Sequence, residues 1–98
     1  MKKLVRDNIP EIIKNKGEKP KFYQASQKEY EKELYKKLIE EVKEFNENHS
    51  KEEFADILEV LDAIGKFKSF NKKEIIKIKD KKAKSKGKFD KRIILEIS

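Results

Sequence analysis

Between Leu38 and Asp62 two pairs of acids, Glu41/Glu44 and Glu53/Asp56, stand at i, i+3 spacing on consecutive amphipathic segments separated by a short polar stretch. On an α-helix this spacing puts both side chains of a pair on adjoining parts of one face. If the two segments fold back on each other as a hairpin, four carboxylates converge. They repel one another unless a cation lies between them, and hard divalent cations such as Mg²⁺ prefer oxygen ligands of this kind. A fold that pairs these two helices has to accommodate acids on the faces that meet.

The helix boundaries follow from local signals. Ser26 with Glu29 makes a capping box, which opens a helix expected from about Gln27 to about Glu47. At about 100° per residue, Tyr30, Leu34, Leu38, Val42 and Phe45 fall on one side, with Glu41 inside that stripe and Glu44 at its margin. Glu33 and Glu40 point further toward solvent. A carboxylate among core positions costs several kcal/mol unless paired or metal-bound. A salt bridge to a lysine satisfies a single such glutamate as well as a metal does.

Asn46 to Ser50 supplies a polar turn, and His49, the one histidine of the chain, falls in it as a loop residue. Ser50 caps a second helix expected over Lys51 to Phe67, whose apolar positions Phe54, Ile57, Leu58, Val60, Leu61, Ile64 and Phe67 cover a wide arc. Glu53 lies inside that arc, Asp56 at its edge, and Glu52, Glu59 and Asp62 on the far side. Ser50 and Glu53 also have capping-box spacing, so Glu53 has a structural explanation of its own. Asp56 has none. Two helices that each place an acid on a core face are harder to explain by packing than either alone.

The flanks are read in the same way. Asp7 or Asn8 caps a short helix that Pro10 starts and Gly17 stops, with Ile9, Ile12 and Ile13 as its apolar face. Lys3 and Arg6 read either as phosphate contacts or as solvated charges, the latter including an ion pair with Asp7. Residues 18–25 are extended and aromatic, and Arg92 to Ile97 is the other β-leaning run, which allows a short two-stranded ribbon. Asn71 with Glu74 starts a further helix through about Lys86, terminated by Gly87. The fold class expected is all-α: an antiparallel helical hairpin plus flanking helices, in a single domain over residues 1–98.

Charge is distributed unevenly. Residues 29–62 carry 12 acids against 5 bases, a local −7, and residues 72–92 carry 11 bases against 3 acids, a local +8, within a net charge of +7. An acidic centre beside a basic segment suits a metal site next to an anion-binding surface, and so a polyphosphate substrate. The lysine-rich third long helix also allows a non-catalytic module that binds nucleic acid or another partner. The absence of cysteine excludes disulfides and thiolate chemistry. No apolar run approaches 18 residues and no basic-then-apolar leader is present, so no membrane association is expected and the location expected is cytoplasmic.

Lys37-Leu38-Ile39-Glu40-Glu41-Val42-Lys43-Glu44 followed by Glu53-Phe54-Ala55-Asp56-Ile57-Leu58 resembles the ExxE and ExxD motifs of the all-α nucleotide pyrophosphohydrolases, the MazG and phosphoribosyl-ATP pyrophosphohydrolase superfamily. The opening Lys3-Leu4-Val5-Arg6-Asp7-Asn8-Ile9-Pro10 and the closing Lys86-Gly87-Lys88-Phe89-Asp90-Lys91-Arg92-Ile93 look like the flanking signatures of its small phosphoribosyl-ATP pyrophosphohydrolase-like branch. The resemblance implies Mg²⁺-dependent cleavage of a nucleoside triphosphate between the α and β phosphates, with Mn²⁺ as a substitute ion. It implies Glu41, Glu44, Glu53 and Asp56 as metal ligands, Glu41 as base, and Lys3, Arg6, Lys86 and Arg92 as phosphate ligands. It also implies homodimers or higher homo-oligomers in which helices of two chains complete a four-helix core, and nucleic acid is not the partner expected. This chain departs from the pattern in two places: only eight residues separate Glu44 from Glu53, and Lys86 stands before Gly87 where arginine would be expected, losing the bidentate fork.

Overall fold

The computed structural model describes residues 1–97. Four α-helices follow one another, α1 Ile9–Asn15, α2 Gln27–Asn48, α3 Lys51–Phe67 and α4 Lys72–Lys86, and no strand occurs among the described residues. The all-α expectation holds. The ribbon does not form: residues 18–26 run without regular structure, as do residues 92–97. Phe22, Tyr23 and Ile93 to Leu95 remain largely exposed, so their β-propensity finds no neighbouring strand to act on.

The caps explain the boundaries. Ser26 Oγ accepts the Glu29 N–H at 3.2 Å, Ser50 Oγ the Glu53 N–H at 3.1 Å and Asn71 Oδ1 the Glu74 N–H at 3.1 Å, each satisfying a donor that the first helical turn leaves free. Asn8 is the N-cap of α1 but its side chain makes no capping bond, and Pro10 carries that first turn instead. Gly17 and Gly87 follow or close their helices at φ 88° and 85°, a region that a Cβ disfavours. Asn46 to Asn48, expected in the turn, continue α2. The reversal is confined to His49 and Ser50, with His49 left-handed at φ 53° and its N–H donated to the Phe45 carbonyl at 2.7 Å. Its ring Nε2 meets the Asn46 carbonyl at 2.7 Å, which holds this loop histidine to the end of α2.

The chain divides into two compact units, Met1–Lys68 and Ser69–Ser98. In the first, α2 and α3 pack antiparallel. Tyr30 meets Phe67 edge-on with ring centroids 5.5 Å apart at one end, and Phe45 meets Phe54 at 5.7 Å beside the turn. Leu34, 2% exposed, and Val60 are the buried apolar side chains between them, flanked by half-buried Leu38, Ile57 and Ile64. Lys68 reaches back from the end of α3 to Glu31, which also accepts the Tyr35 hydroxyl at 2.7 Å, closing the open end of the hairpin. This core is thin. Leu34 and the nearly buried Val60 contribute about 1.5–3 kcal/mol each, and Ile39, Val42, Phe54, Leu58 and Leu61 stay about half exposed or more.

In the second unit, every residue of α4 is exposed except Ala83, including Ile75, Ile76 and Ile78. Among the described residues no helix is long and apolar enough to cross a membrane.

Candidate metal centre

The residue that organises the site is Glu41. Helical periodicity puts it on the inner face of α2, one turn from Lys37, and it is 6% exposed. Lys37 Nζ approaches its Oε1 at 3.5 Å and Glu40 at 3.6 Å. The lysine that could satisfy a core glutamate is therefore present, but it satisfies one oxygen. Glu41 Oε2 is buried and has no hydrogen-bond partner. A buried acceptor left unpaired costs about 1–3 kcal/mol, so the pairing with Lys37 does not account for this carboxylate.

Across the hairpin, α3 presents Glu53 and Asp56, both half-buried. One carboxylate oxygen from each of Glu41, Glu53 and Asp56 lies within 4.8 Å of the other two. Two oxygens sharing one Mg²⁺ at about 2.1 Å are at most about 4.2 Å apart, a spacing slightly tighter than the one within which these three lie. The donor set is all oxygen, as a hard divalent cation requires. The capping reading of Glu53 and the ligand reading coexist in the structure: its backbone N–H goes to Ser50, while its carboxylate accepts from Asn48 Nδ2 at 3.3 Å and faces the cluster.

Glu44 is not among the three convergent carboxylates. It lies half-buried at the margin, near enough that the charge of Glu41, then partial desolvation, then a hydrogen bond shared with the Glu41 carboxylate, then the charges of Glu53 and Glu40 push its pKa above the ordinary 4.5. This is the behaviour of a carboxylate beside like charge.

The basic candidates separate into two groups. Arg6, expected to contact phosphate or else to be solvated or paired with Asp7, reaches α3: its Nη2 donates to Asp56 Oδ1 at 2.7 Å and its Nη1 lies 3.7 Å from Glu59. The hydrogen bond to Asp56 raises the guanidinium pKa further. Lys3 Nζ is 4.0 Å from Glu40. Both are thus brought to the acidic side of the hairpin. Lys86 and Arg92 belong to the second unit, at the end of α4 and just past the turn that follows it. An open groove of about 300 Å³ lies along Met1 to Leu4, with Glu33, Lys36, Lys37 and Glu40 as its other wall. Lys37 joins this groove to Glu41.

Three participants were not singled out from the sequence. Lys37 was discoverable from its i, i+4 relation to Glu41, and Glu59 from its i, i+3 relation to Asp56. Asn48 had no such signal, because its position depends on α2 continuing past the expected turn. Comparisons with protein-family models, curated proteins and solved structures find no match to this chain.

Proposed function

We propose that this protein is a Mg²⁺-dependent nucleoside triphosphate pyrophosphohydrolase, cleaving between the α and β phosphates to give the monophosphate and pyrophosphate. The observation that carries the reading is Glu41: a carboxylate buried in a thin core, one oxygen unpaired, converging with Glu53 and Asp56. A helical hairpin with no use for a cation gains stability by replacing such a group with an apolar one. The resemblance of the ExxE and ExxD segments and of both flanks supplies the reaction class.

Glu41, Glu53 and Asp56 would hold the cation, with Glu44 at the edge. When bound, the ion supplies Lewis acidity toward phosphate oxygens and neutralises the carboxylates. The chain's own part is to orient and to move a proton. A water oxygen attacks the α phosphorus, the bond from that phosphorus to the bridging oxygen breaks, and pyrophosphate leaves with the bonding electrons. The water proton passes to a carboxylate, and Glu41 is the group assigned on the resemblance. Lys3 and Arg6 neutralise charge on the phosphates, as cations do in phosphoryl transfer generally.

The exposed apolar residues support a homo-oligomer. Tyr35, Ile39 and Val42 on α2 and Phe54, Leu58 and Leu61 on α3 each follow i, i+4, i+7, forming a second apolar stripe on each helix that stays 40–70% exposed even though Phe54 also meets Phe45. Covering these stripes with a second hairpin completes a four-helix core.

The test is release of pyrophosphate from a panel of normal, deoxy and modified nucleoside triphosphates, with and without Mg²⁺. Release that requires Mg²⁺ and is lost in folded Glu41→Gln and Asp56→Asn proteins supports the assignment, and no release above background across the panel refutes it. The exposed lysines of α4 favour a second reading, a nucleic-acid-binding module. It predicts salt-sensitive binding to DNA or RNA that removing the acids leaves unchanged.

A further inference from the structure

The acidic cluster already has a cation of its own. Arg6 Nη2 donates to Asp56 Oδ1 at 2.7 Å, on the carboxylate that also converges with Glu41 and Glu53, and Nη1 lies 3.7 Å from Glu59 one turn along α3. The guanidinium arrives from residues 1–6, which have no regular structure, and its side chain is 57% exposed. It is therefore held by charge rather than by packing, and it can leave without opening the core. An exposed pair of this kind contributes little to stability. At this site it matters more as electrostatics, since one positive charge offsets part of the repulsion among acids that lie within 4.8 Å of one another.

We propose that Arg6 is the resident counter-cation of this cluster and competes with a divalent cation for Asp56, so that cation binding releases the Arg6 guanidinium from α3. The proposal rests on the cation reading of the cluster given above. The competition is one of charge and of space: a divalent ion on the three carboxylates repels a guanidinium bonded to one of them, and it offers the acids twice the charge at shorter range. The exchange links two events. While Arg6 is bound the cluster is partly neutralised and stable without metal, and once a cation replaces it, a mobile guanidinium stands beside the site with its bidentate fork unused. Phosphate oxygens are the ligand that fork fits. The cation then comes to hold the acids, and the arginine becomes available to the substrate.

The chain has two arginines, Arg6 and Arg92. Protein labelled with ¹⁵N at arginine gives two side-chain signals, and Arg6→Gln assigns them by removing one. Titrating Mg²⁺ is expected to shift the Arg6 signal and speed its exchange with water while leaving that of Arg92 in place. Calorimetric titration with Mn²⁺ at low salt is expected to show Arg6→Gln binding roughly two- to fivefold more tightly than wild type, the range that breaking an exposed ion pair allows, with the difference shrinking as salt is raised. Equal or weaker binding by Arg6→Gln, or an Arg6 signal unmoved at Mg²⁺ saturation, overturns the competition while leaving the cation site standing. If neither protein binds Mn²⁺, the cation reading itself fails and this proposal falls with it.

Discussion

Replacing Glu41 with methionine sets core stability against cation binding in one measurement. Methionine has a similar reach, favours helix and adapts to an irregular gap. Without divalent cation, wild type buries a carboxylate whose Oε1 has Lys37 at 3.5 Å and whose Oε2 has no partner. Removing a buried unsatisfied polar atom recovers about 1–3 kcal/mol. Against this stands the lost Lys37 contact, worth at most about 1 kcal/mol, since Lys37 keeps Glu40 at 3.6 Å and is not stranded. The net expectation is a gain of about 0–2 kcal/mol, or up to roughly 15 °C in Tm for a domain of this size. With Mg²⁺ the order reverses: at 100 times its Kd a ligand adds about 2.7 kcal/mol to the protein that binds it, and Glu41→Met has lost the central carboxylate. Differential scanning calorimetry in EDTA and across a Mg²⁺ titration reads both effects. A Glu41→Met protein that is less stable than wild type in EDTA, or that gains as much as wild type from Mg²⁺, refutes the argument that Glu41 is kept for a cation at the expense of the core.

Three further outcomes follow from other parts of the first unit. Glu44 has a raised pKa, so its ionised form is disfavoured in the fold and the penalty is present above that pKa and absent well below 4.5. Glu44→Gln should therefore raise Tm at pH 7 without metal, by a margin that vanishes as the pH falls below 4.5, and a pH-independent difference would contradict this. Glu31 is shifted the other way, held below the ordinary 4.5 by Lys68 and then by the Tyr35 hydroxyl. Its stabilising effect should be complete above 4.5 and lost as the pH drops through the lowered value, so the Tm deficit of Glu31→Gln at neutral pH should close in acid and narrow in high salt. Ile39→Lys changes a residue that is 70% exposed and should alter hairpin stability by no more than about 0.5 kcal/mol, yet move sedimentation from oligomer to monomer; an unchanged sedimentation coefficient would show that this stripe is not the subunit contact.

The pattern of caps made the helices legible in advance. Ser26, Ser50 and Asn71 each stand three residues before a glutamate, and all three accept the N–H expected of them, so α2, α3 and α4 begin where the local chemistry says. Periodicity likewise placed Glu41 among core positions, since an angle around a helix is a property of the chain alone. The turn was less legible. Asn46 to Asn48 are polar and weak helix formers, but carrying α2 on to Asn48 lets a single left-handed residue, His49, reverse the chain. The β-leaning of residues 92–97 was real as propensity and without consequence, because propensity forms a strand only when a partner is at hand.

Sequence alone therefore determined where the helices start and which acids share a face, because these depend on neighbours within a turn or two. Only the tertiary structure decided what those acids meet. Antiparallel packing of α2 on α3 puts Glu41 with Glu53 and Asp56 rather than with lysine alone, and leaves Oε2 of Glu41 unpaired. It also brought Arg6, fifty positions away in the chain, to Asp56. Such pairings depend on helix register and on the path of an unstructured N-terminal segment, and neither is written in the spacing of residues.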